Sequence, residues 1–470
     1  MAYPGYRLYA LLKATPELNA IYGSTALEEL RAYTAHLLQN PPYNCSQSLA
    51  KSFSVVGAPS KEWVPAFTND IDVSIKDPGE LIVVYSFDDP NSQQEFSDLA
   101  ADVNGLHPDQ ANILSVGTDI GVDSADHWCP GSASLSMFGH RRNARRTIRA
   151  NGLRDHGLMG RSVNVVIIDE GLDRQIIPPD NWGGGLNWFR NPQDNVVVGS
   201  ASRTSHGMMI ARSILDLAPQ AVLYDVPLIP ERIRSINGFF AGASSAQAVL
   251  NIIVEAIDAR RYHPRWAGPW IFVNAWAIFD RASESPLGNY TENKAPGGHP
   301  FINKVSDMVR TKMFDIVFAA GNCGEFCPGG RCGGLDLGPG HSIWGANALP
   351  DVITSGSVLT DETWAGYSSQ GPGPNINGLA HDKPDLCAPS DFCETHDASV
   401  RNSGTSTACA VTAGVVAALR TNPAWSQMEV PPSRLKQALT DSARLTHGPG
   451  WNGRLGNGIL DATAAIARLP

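Results

Sequence analysis

The chain lacks two features that would assign it to common classes of protein. It has no excess of positive charge, because 36 Lys and Arg face 46 Asp and Glu, for a net charge of −10. Nucleic-acid-binding domains carry basic patches, so a nucleic-acid partner is not expected. The sequence also has no run of about 20 apolar residues, the length that a membrane-spanning helix needs. We therefore expect neither nucleic-acid binding nor a membrane span.

A secretory leader is also missing from the sequence. The N-terminal residues have no basic start followed by an apolar block, which is the pattern of such a leader. We therefore expect a cytoplasmic location, unless an export signal precedes this sequence. In that compartment most of the eight cysteines are expected to be thiols.

The chain is long and divides into two regions with different sequence patterns. A length of 470 residues, 43% of them hydrophobic, is enough for two or three domains. Residues 1–40 are predicted to be helical, because TALEELRAYTAHLLQN has a Thr start and apolar residues at helical spacing. Residues 41–65 contain Pro, Gly and Ser and are predicted to be a linker. A strand at 80–87, a helix and a further strand then predict a small α+β unit. We predict an N-terminal extension over 1–155 and a larger domain over 156–470.

The larger domain alternates apolar runs with helical patterns. Runs that are apolar throughout, rather than at every second position, are typical of strands buried on both faces of a parallel sheet. Helical segments such as AQAVLNIIVEAIDARR lie between them, which predicts an α/β fold: a doubly wound, mostly parallel sheet with helices on both faces. The runs are VNVVII (163–168), AVLYDV (221–226), IFVNA (271–275), IVFAA (316–320) and VITSGSV (352–358).

Polar residues follow two of these predicted strands. Asp169 comes directly after the first run, and Asn322 follows IVFAA. Ligands of doubly wound sheets bind beyond the carboxyl ends of the strands, so both side chains are candidates for a site. His206 stands where a predicted helix begins. Taken alone, each of these residues is more typical of a turn or a helix cap.

The segment GTSTACAVTAGVVAALR places a hydroxyl at the head of a helix of small residues. Gly404 allows a sharp turn before the helix. The small apolar residues that follow let the helix lie deep in the core. Ser406 then lies at the N-terminal end, where backbone N–H groups have no partner within the helix and favour a developing negative charge.

Together, these signals form one pattern. The order Asp169, His206, Ser406 along the chain is that of the subtilisin type of catalytic triad. The surrounding residues resemble the subtilisin-like serine proteases, or subtilases, over roughly residues 160–470. The motifs that carry the resemblance are VVIIDEGLD, SHGMMIA, VFAAGN and GTSTACA.

The resemblance implies a role for each motif. Ser406 would attack the scissile carbonyl, His206 would accept and return the proton, and Asp169 would orient the imidazole. The Asn322 side chain and the Ser406 N–H would bind the oxyanion. No cofactor is required for this chemistry. Many relatives bind structural calcium, but no calcium-binding loop is legible in this sequence.

The resemblance also implies how a polypeptide substrate is held. Ala275, Trp276 and Ala277 align with the family's strand that pairs with the substrate backbone. Some positions depart from the family's pattern and favour a restricted specificity. They are Glu170 after the aspartate, Met208 and Arg212 after the histidine, Ala275 and Ala277 in the substrate strand, and Ala410 after the serine.

Two clusters leave alternatives open. Cys323, Cys327 and Cys332 could be structural thiols, a disulfide within the loop or part of a zinc site completed by Cys387, Cys393 or His341. The zinc site is the least favoured, because the spacing contains no Cys-x-x-Cys. The basic stretch 140–149 could be a solvated helix face, a processing site or a site for an anionic partner.

The sequence therefore predicts a serine endopeptidase of restricted specificity. The alternative is a weakly catalytic pseudo-protease that binds peptides as a scaffold. An α/β-hydrolase esterase with Ser406, Asp441 and His447 is disfavoured, because Ala408 stands where Gly-x-Ser-x-Gly needs its last glycine. The N-terminal extension is predicted to be either a propeptide or a domain that docks a partner.

Overall fold

The structure is a computed structural model, and it describes most of the chain from residue 139 onward and shorter pieces before it. The described residues are 6–13, 52–55, 63–65, 80–87, 89, 91–92, 95, 113–125, 139–186, 197–229, 242–282, 284, 290–291, 298–376, 379–397, 400–446 and 448–470.

The strands of the described residues are numbered along the chain. They are β1 (Tyr6–Lys13), β2 (Ser52–Val55), β3 (Trp63–Pro65), β4 (Glu80–Phe87), β5 (Ile113–Thr118), β6 (Asp123–Ser124), β7 (Asn164–Asp169), β8 (Trp182–Leu186), β9 (Val222–Pro227), β10 (Trp270–Asn274), β11 (Trp276–Ala277), β12 (Asp315–Ala319), β13 (Ile353–Val358), β14 (Asn375–Ile376), β15 (Leu379–Ala380), β16 (Leu386–Pro389), β17 (Phe392–Cys393) and β18 (Arg401–Asn402).

The α-helices of the same residues are numbered in the same way. They are α1 (Arg141–Thr147), α2 (Asn151–Asp155), α3 (His206–Leu217), α4 (Ala243–Arg260), α5 (Pro300–Arg310), α6 (Gly404–Leu419), α7 (Pro432–Ser442) and α8 (Ala462–Ile466). Short 3₁₀ helices occur at Pro179–Asn181, Gly345–Ala348 and Pro423–Trp425.

A large sheet forms the centre of the larger domain. Its order in the described residues is β16-β13-β12-β10-β7-β9-β8-β3. The first seven of these strands pair in parallel, and β3 joins β8 antiparallel at the edge. The prediction of a mostly parallel α/β sheet is confirmed, and each of the five apolar runs corresponds to one of its strands.

The two faces of this sheet carry separate layers of helices. Along β7, Val165 and Ile167 belong to one apolar cluster, which includes residues of α3 and α6. Val166 and Ile168 belong to the other, which includes residues of α4 and α5. A strand that is buried on both faces therefore reads as a continuous apolar run, as the sequence indicated.

The predictions for the N-terminal residues are partly wrong. Residues 6–13, predicted to be helical, form β1 between β4 and β5 of an antiparallel sheet ordered β2-β4-β1-β5. Leu8, Tyr9 and Ala10 of β1 are almost fully buried, so pairing and packing override the helix propensity of this stretch. Within the predicted linker 41–65, β2 and β3 are strands. The predicted strand at 80–87 is confirmed as β4.

Other features of the extension remain predictions. The helix predicted around TALEELRAYTAHLLQN lies outside the described residues, and the boundary at residue 155 is not tested. In the part of the chain that the structure describes, the helices are too short or too polar to cross a membrane.

Candidate active site

Three neighbouring strands bring the first candidate residues to one edge of the sheet. Strands β7, β10 and β12 lie side by side and parallel, so their carboxyl ends coincide. Asp169 is the last residue of β7, Ala275 follows β10 directly, and Asn322 follows β12 after a turn at Gly321. Asp169 and Asn322 have no exposed surface.

His206 is the first residue of α3 and contacts Asp169. Its Nδ1 lies 2.7 Å from Asp169 Oδ1. The helix begins at this point because Ser205 Oγ accepts the Met208 N–H and donates to the Gly171 carbonyl. A Cβ on Gly207 would lie 2.4 Å from the Gly171 oxygen, so only glycine lets the helix approach the loop after β7 this closely.

Glu170 adds a charged cap to this helix. Its Oε2 accepts the backbone N–H of His206 at 3.0 Å, and the residue is buried. A carboxylate at a helix N-terminus interacts favourably with the helix dipole. The position that departs from the family's pattern therefore supports the backbone of the histidine.

Ser406 lies in the first turn of α6, which is buried along its whole length. Gly404 begins the helix with a φ of +74°, the left-handed backbone conformation that glycine adopts most readily. The Ser406 hydroxyl donates to the Ala275 carbonyl at 3.0 Å. The sharp turn and the buried helix of the sequence prediction are both present.

The Asn322 amide is oriented by Thr405, a residue that the sequence analysis did not single out. Asn322 Oδ1 accepts the Thr405 N–H at 3.0 Å and the Thr405 hydroxyl at 2.9 Å. Thr405 Oγ1 in turn accepts the Gly321 N–H at 3.1 Å. With the Oδ1 side fixed, Asn322 Nδ2 can only point the other way, towards the space beside Ser406.

A segment of the N-terminal extension fills that space. The carbonyl oxygen of Ala125 accepts a hydrogen bond from Asn322 Nδ2 at 2.6 Å and another from the Ser406 backbone N–H at 3.3 Å. The Ala125 N–H donates to the Ala275 carbonyl at 2.8 Å. Residues 120–125, which we call the cleft segment, thus place one peptide carbonyl between two convergent donors.

The cleft segment pairs with two other pieces of backbone, one a strand and the other a single residue. On one side β6 pairs antiparallel with β11, in the register Ser124 to Trp276 and Asp123 to Ala277. On the other side Gly121 forms an antiparallel bridge with Gly242. Ala277, one of the positions that depart from the family's pattern, therefore leaves room for a strand to pair here.

A second buried carboxylate lies beside Asp169. Asp225 is on β9, next to β7, and accepts the N–H groups of Leu172 and Gly199 at 3.1 and 2.8 Å. Burial raises the pKa of Asp225 to about 7, against the lowering effect of these hydrogen bonds, and the charge of Asp169 adds to the rise. The carboxyl thus ties together the loops after β7 and before α3.

Two bulky residues of α3, Met208 and Arg212, lie beside Asp173 and Glu394. Met208 Sδ lies 3.1 Å from the Asp173 nitrogen, and Arg212 Nε lies 3.8 Å from a Glu394 oxygen. Burial lowers the pKa of Arg212, while Glu394 opposes that shift. Arg141 of α1 also pairs with Glu394 and is buried. The basic stretch contains a helix, in line with the first of its three alternatives, and Arg142 and Arg146 are exposed, whereas Arg141 is buried.

The cysteine cluster contains a disulfide. Cys323 and Cys332 are bonded, with an S–S distance of 2.04 Å, and Cys327 is also disulfide-bonded. The expectation of thiols is wrong for these three residues, and the alternative of a disulfide within the loop matches the first pair. Disulfide sulfurs cannot serve as thiolate ligands of zinc. Cys387, Cys393 and Cys409 are free and buried.

Comparison with known families matches residues 160–458 to the subtilase family. That match covers more than half of the chain. The chain belongs to the subtilase family. It is therefore a serine protease, and its substrate is polypeptide. Among curated proteins none matches the chain significantly.

Solved structures of MycP1 are among those similar to this subtilase. MycP1 with its N-terminal propeptide removed has a TM-score of 0.43 and 18% identity, covering 69% of this chain and 96% of that chain. MycP1 from the ESX-1 type VII secretion system has a TM-score of 0.45 and 19% identity, covering 74% of this chain and 90% of that chain. The alternatives of a weakly catalytic pseudo-protease and of an esterase gain no support from the family match.

Proposed function

We propose that this subtilase is a serine endopeptidase in which Ser406 is the nucleophile, His206 the general base and acid, and Asp169 the residue that orients the imidazole. The Asn322 side chain and the Ser406 N–H form the oxyanion hole. Ala275, Trp276 and Ala277 hold the substrate backbone as an added strand. The contact of 2.7 Å between His206 Nδ1 and Asp169 supports this assignment, because it leaves Nε2 as the nitrogen for proton transfer.

The observation that carries the proposal is the position of the Ala125 carbonyl. Its oxygen accepts hydrogen bonds from Asn322 Nδ2 and the Ser406 N–H, two donors that come from different elements of the fold. Preorganised donors of this kind stabilise the negative charge that develops on a carbonyl under attack. The same residue is aligned by the Ala275 carbonyl, which fixes the peptide plane beside the nucleophile.

The reaction then follows from these positions. The Ser406 hydroxyl turns from the Ala275 carbonyl towards His206 Nε2 and loses its proton as the oxygen attacks the scissile carbonyl carbon. The tetrahedral oxyanion is held by Asn322 and the Ser406 N–H. The carbon–nitrogen bond breaks as the imidazolium gives the proton to the leaving amine, which leaves an acyl group on Ser406. Water, deprotonated by His206, releases the acid and restores the hydroxyl.

Two other expectations from the sequence remain predictions. The chemistry above needs no cofactor, and structural calcium is untested. A cytoplasmic location is also untested, and the Cys323–Cys332 disulfide is more typical of an oxidising compartment.

The cleft segment favours a propeptide-like extension over one that only docks a partner, because its backbone occupies the site proposed for a substrate.

The test compares the wild type with Ser406→Ala and with Ser403→Ala. Ser403 is the matched control, since it precedes the same helix and makes no side-chain cap. We expect the wild type and Ser403→Ala to digest casein and to react with a fluorophosphonate, and Ser406→Ala to do neither. Digestion by Ser406→Ala at the wild-type rate, with the fold intact by circular dichroism, would remove Ser406 from the mechanism.

A further inference from the structure

The cleft segment also carries side-chain information about what the cleft accepts. The inference below rests on the proposed function, because it takes the Ala125 carbonyl as the position of a scissile carbonyl. On that basis Ala125 is the residue before the cleaved bond, and Asp123 lies two positions earlier. The surroundings of these two side chains carry the inference.

Asp123 is recognised by a cation from the cysteine loop. The Arg331 guanidinium forms an ion pair with the Asp123 carboxylate, and the two side chains are 26% and 30% exposed. Arg331 Cζ also lies 4.0 Å from the centre of the Phe279 ring. A guanidinium held against an aromatic face loses little freedom when it binds a carboxylate. The cleft therefore offers a positive charge at this side-chain position.

The loop that carries Arg331 is tied to the oxyanion residue. Arg331 is followed by Cys332, which is bonded to Cys323, and Cys323 directly follows Asn322. The Gly329 N–H also donates to the Asn322 carbonyl at 2.8 Å. The distance between the guanidinium and the oxyanion hole is thus set by a short, cross-linked loop. This gives the cysteine cluster a role in positioning a recognition group.

The position of Ala125 favours a small side chain. The residue is completely buried and belongs to the apolar cluster that includes Ala275 and Ala277. The Ala277 Cβ lies 3.4 Å from the position that a Cβ on Gly321 would take, so the substrate strand and the turn before Asn322 lie close together. Because Ala125 is completely buried within this cluster, a larger side chain at its position would have to displace neighbouring atoms.

We propose that this subtilase cleaves after a small residue that has an acidic residue two positions before it, with Arg331 as the residue that selects the acid. The bond between Ala125 and Asp126 in its own chain satisfies this rule. In the hydrolysis of that bond, Ser406 Oγ would form an ester with the Ala125 carbonyl carbon, and the amine of Asp126 would leave with a proton from His206. Water would then cleave the ester and leave a carboxylate on Ala125.

The test is a charge exchange in the full-length chain, read by intact mass. We expect wild-type protein to yield a fragment that begins at Asp126. Arg331→Asp and Asp123→Arg should each slow its formation by about tenfold or more, because like charges then face each other. The double variant should return to within about threefold of the wild type. Arg434→Asp, a charge reversal at an exposed arginine of α7, should leave the rate unchanged.

Processed enzyme should show the same rule towards added peptides. The peptide Val-Asp-Ser-Ala-Asp-His should be cleaved faster than versions with Asn for the first Asp or Leu for Ala. Ala277→Gly should lessen the second difference, and Arg331→Met the first. Equal rates for all three peptides, or single charge variants as fast as the double variant, would overturn the inference. Failure of the proposed function looks different: neither casein nor any bond of the chain would be cut.

Discussion

Among the described residues, two strands of the N-terminal extension pair with strands of the larger domain, and only one of these pairings resembles a bound substrate. Strand β3 joins β8 antiparallel at the far edge of the large sheet. The cleft segment joins β11 antiparallel at the carboxyl ends of the central strands. Both contacts satisfy backbone groups of a strand edge, which is a general way for one segment to bind another.

The two contacts differ in the groups that donate hydrogen bonds to the carbonyl oxygens. In the cleft, Asn322 Nδ2 and the Ser406 N–H converge on a single oxygen, that of Ala125. Along β3, the contact is an ordinary ladder between neighbouring strands. Strand addition alone therefore does not identify a substrate position, and the proposal of one in the cleft rests on the two donors from separate elements that meet on one carbonyl. The predictions below test whether the two contacts differ in this way.

The largest expected effect comes from removing the nucleophile that lies beside the cleft segment. In Ser406→Ala, both the β3 contact and the cleft contact should persist, but the peptide carbonyl has no nucleophile. We expect turnover of casein to fall by about 10⁵- to 10⁶-fold, as loss of the nucleophile does in enzymes of this type. Initial rates and intact mass measure it. A fall of less than tenfold would rule out Ser406 as the nucleophile and would remove the proposed chemical difference between the cleft contact and the one at β3.

The second prediction removes one of the two donors. Asn322→Ala should lower kcat on casein by about 10²- to 10³-fold while KM changes little, because the amide acts on charge that develops only in the transition state. Thr405→Val should give a smaller loss, since it removes only the hydroxyl that orients the amide. Rate constants at saturating and limiting casein separate these effects. If Asn322→Ala changed KM alone, the amide would be a binding group rather than part of an oxyanion hole.

Whether an element could be predicted from the sequence depends on the pattern that its residues form. The runs that became β7, β9, β10, β12 and β13 could be predicted because strands buried on both faces are apolar throughout. The candidate site residues lie at strand ends and helix starts, and the parallel topology places the ends of β7, β10 and β12 at one edge of the sheet. The cleft segment could not be found, because its sequence IGVDSA has no periodicity and its conformation is imposed by β11 and Gly242.

The missed supporting residues have the same explanation. Thr405 stands beside the serine in the sequence, but only the folded turn places its hydroxyl on Asn322. Arg331 is a single charge in a glycine-rich loop, and its partner Asp123 is about 200 residues away along the chain. The sequence of β1 predicts a helix because Leu and Ala favour helices. Antiparallel pairing with β4 and β5 makes the segment a strand instead.

A third prediction concerns the anchor just before the cleft segment. His299 at the start of α5 accepts the Phe301 N–H on Nδ1, and its Nε2 lies 3.0 Å from the Thr118 carbonyl at the end of β5. These bonds suit the neutral ring with its proton on Nε2. Burial lowers the pKa of His299 from 6.5 to about 4, against the raising effects of the Thr118 carbonyl and Asp119.

The sign of the pH effect follows from that shift. Between pH 6.5 and about 4 the unfolded chain binds a proton at this position that the folded chain does not, so stability falls as the pH is lowered through this range. In a Ser406→Ala background, we expect His299→Gln to reduce the loss of melting temperature between pH 7 and pH 4.5 by a few degrees, on the order expected for about 1–3 kcal/mol. His341→Gln, at an exposed histidine, is the control. Parallel melting curves for all three proteins would rule out this role of His299.

The smallest expected effect separates support of the histidine from the chemistry itself. Glu170 holds the His206 backbone N–H and places a negative charge at the start of α3. Glu170→Gln keeps an acceptor but loses the charge, so it should lower stability by about 0.3–1 kcal/mol and kcat on casein by less than about threefold. Glu170→Ala loses both and should lower kcat further, because the first turn of α3 then holds the imidazole less firmly against Asp169. Casein turnover and melting temperature measured on the same preparations distinguish the two. If Glu170→Ala matched the wild type in both, the cap would have no part in setting the position of His206.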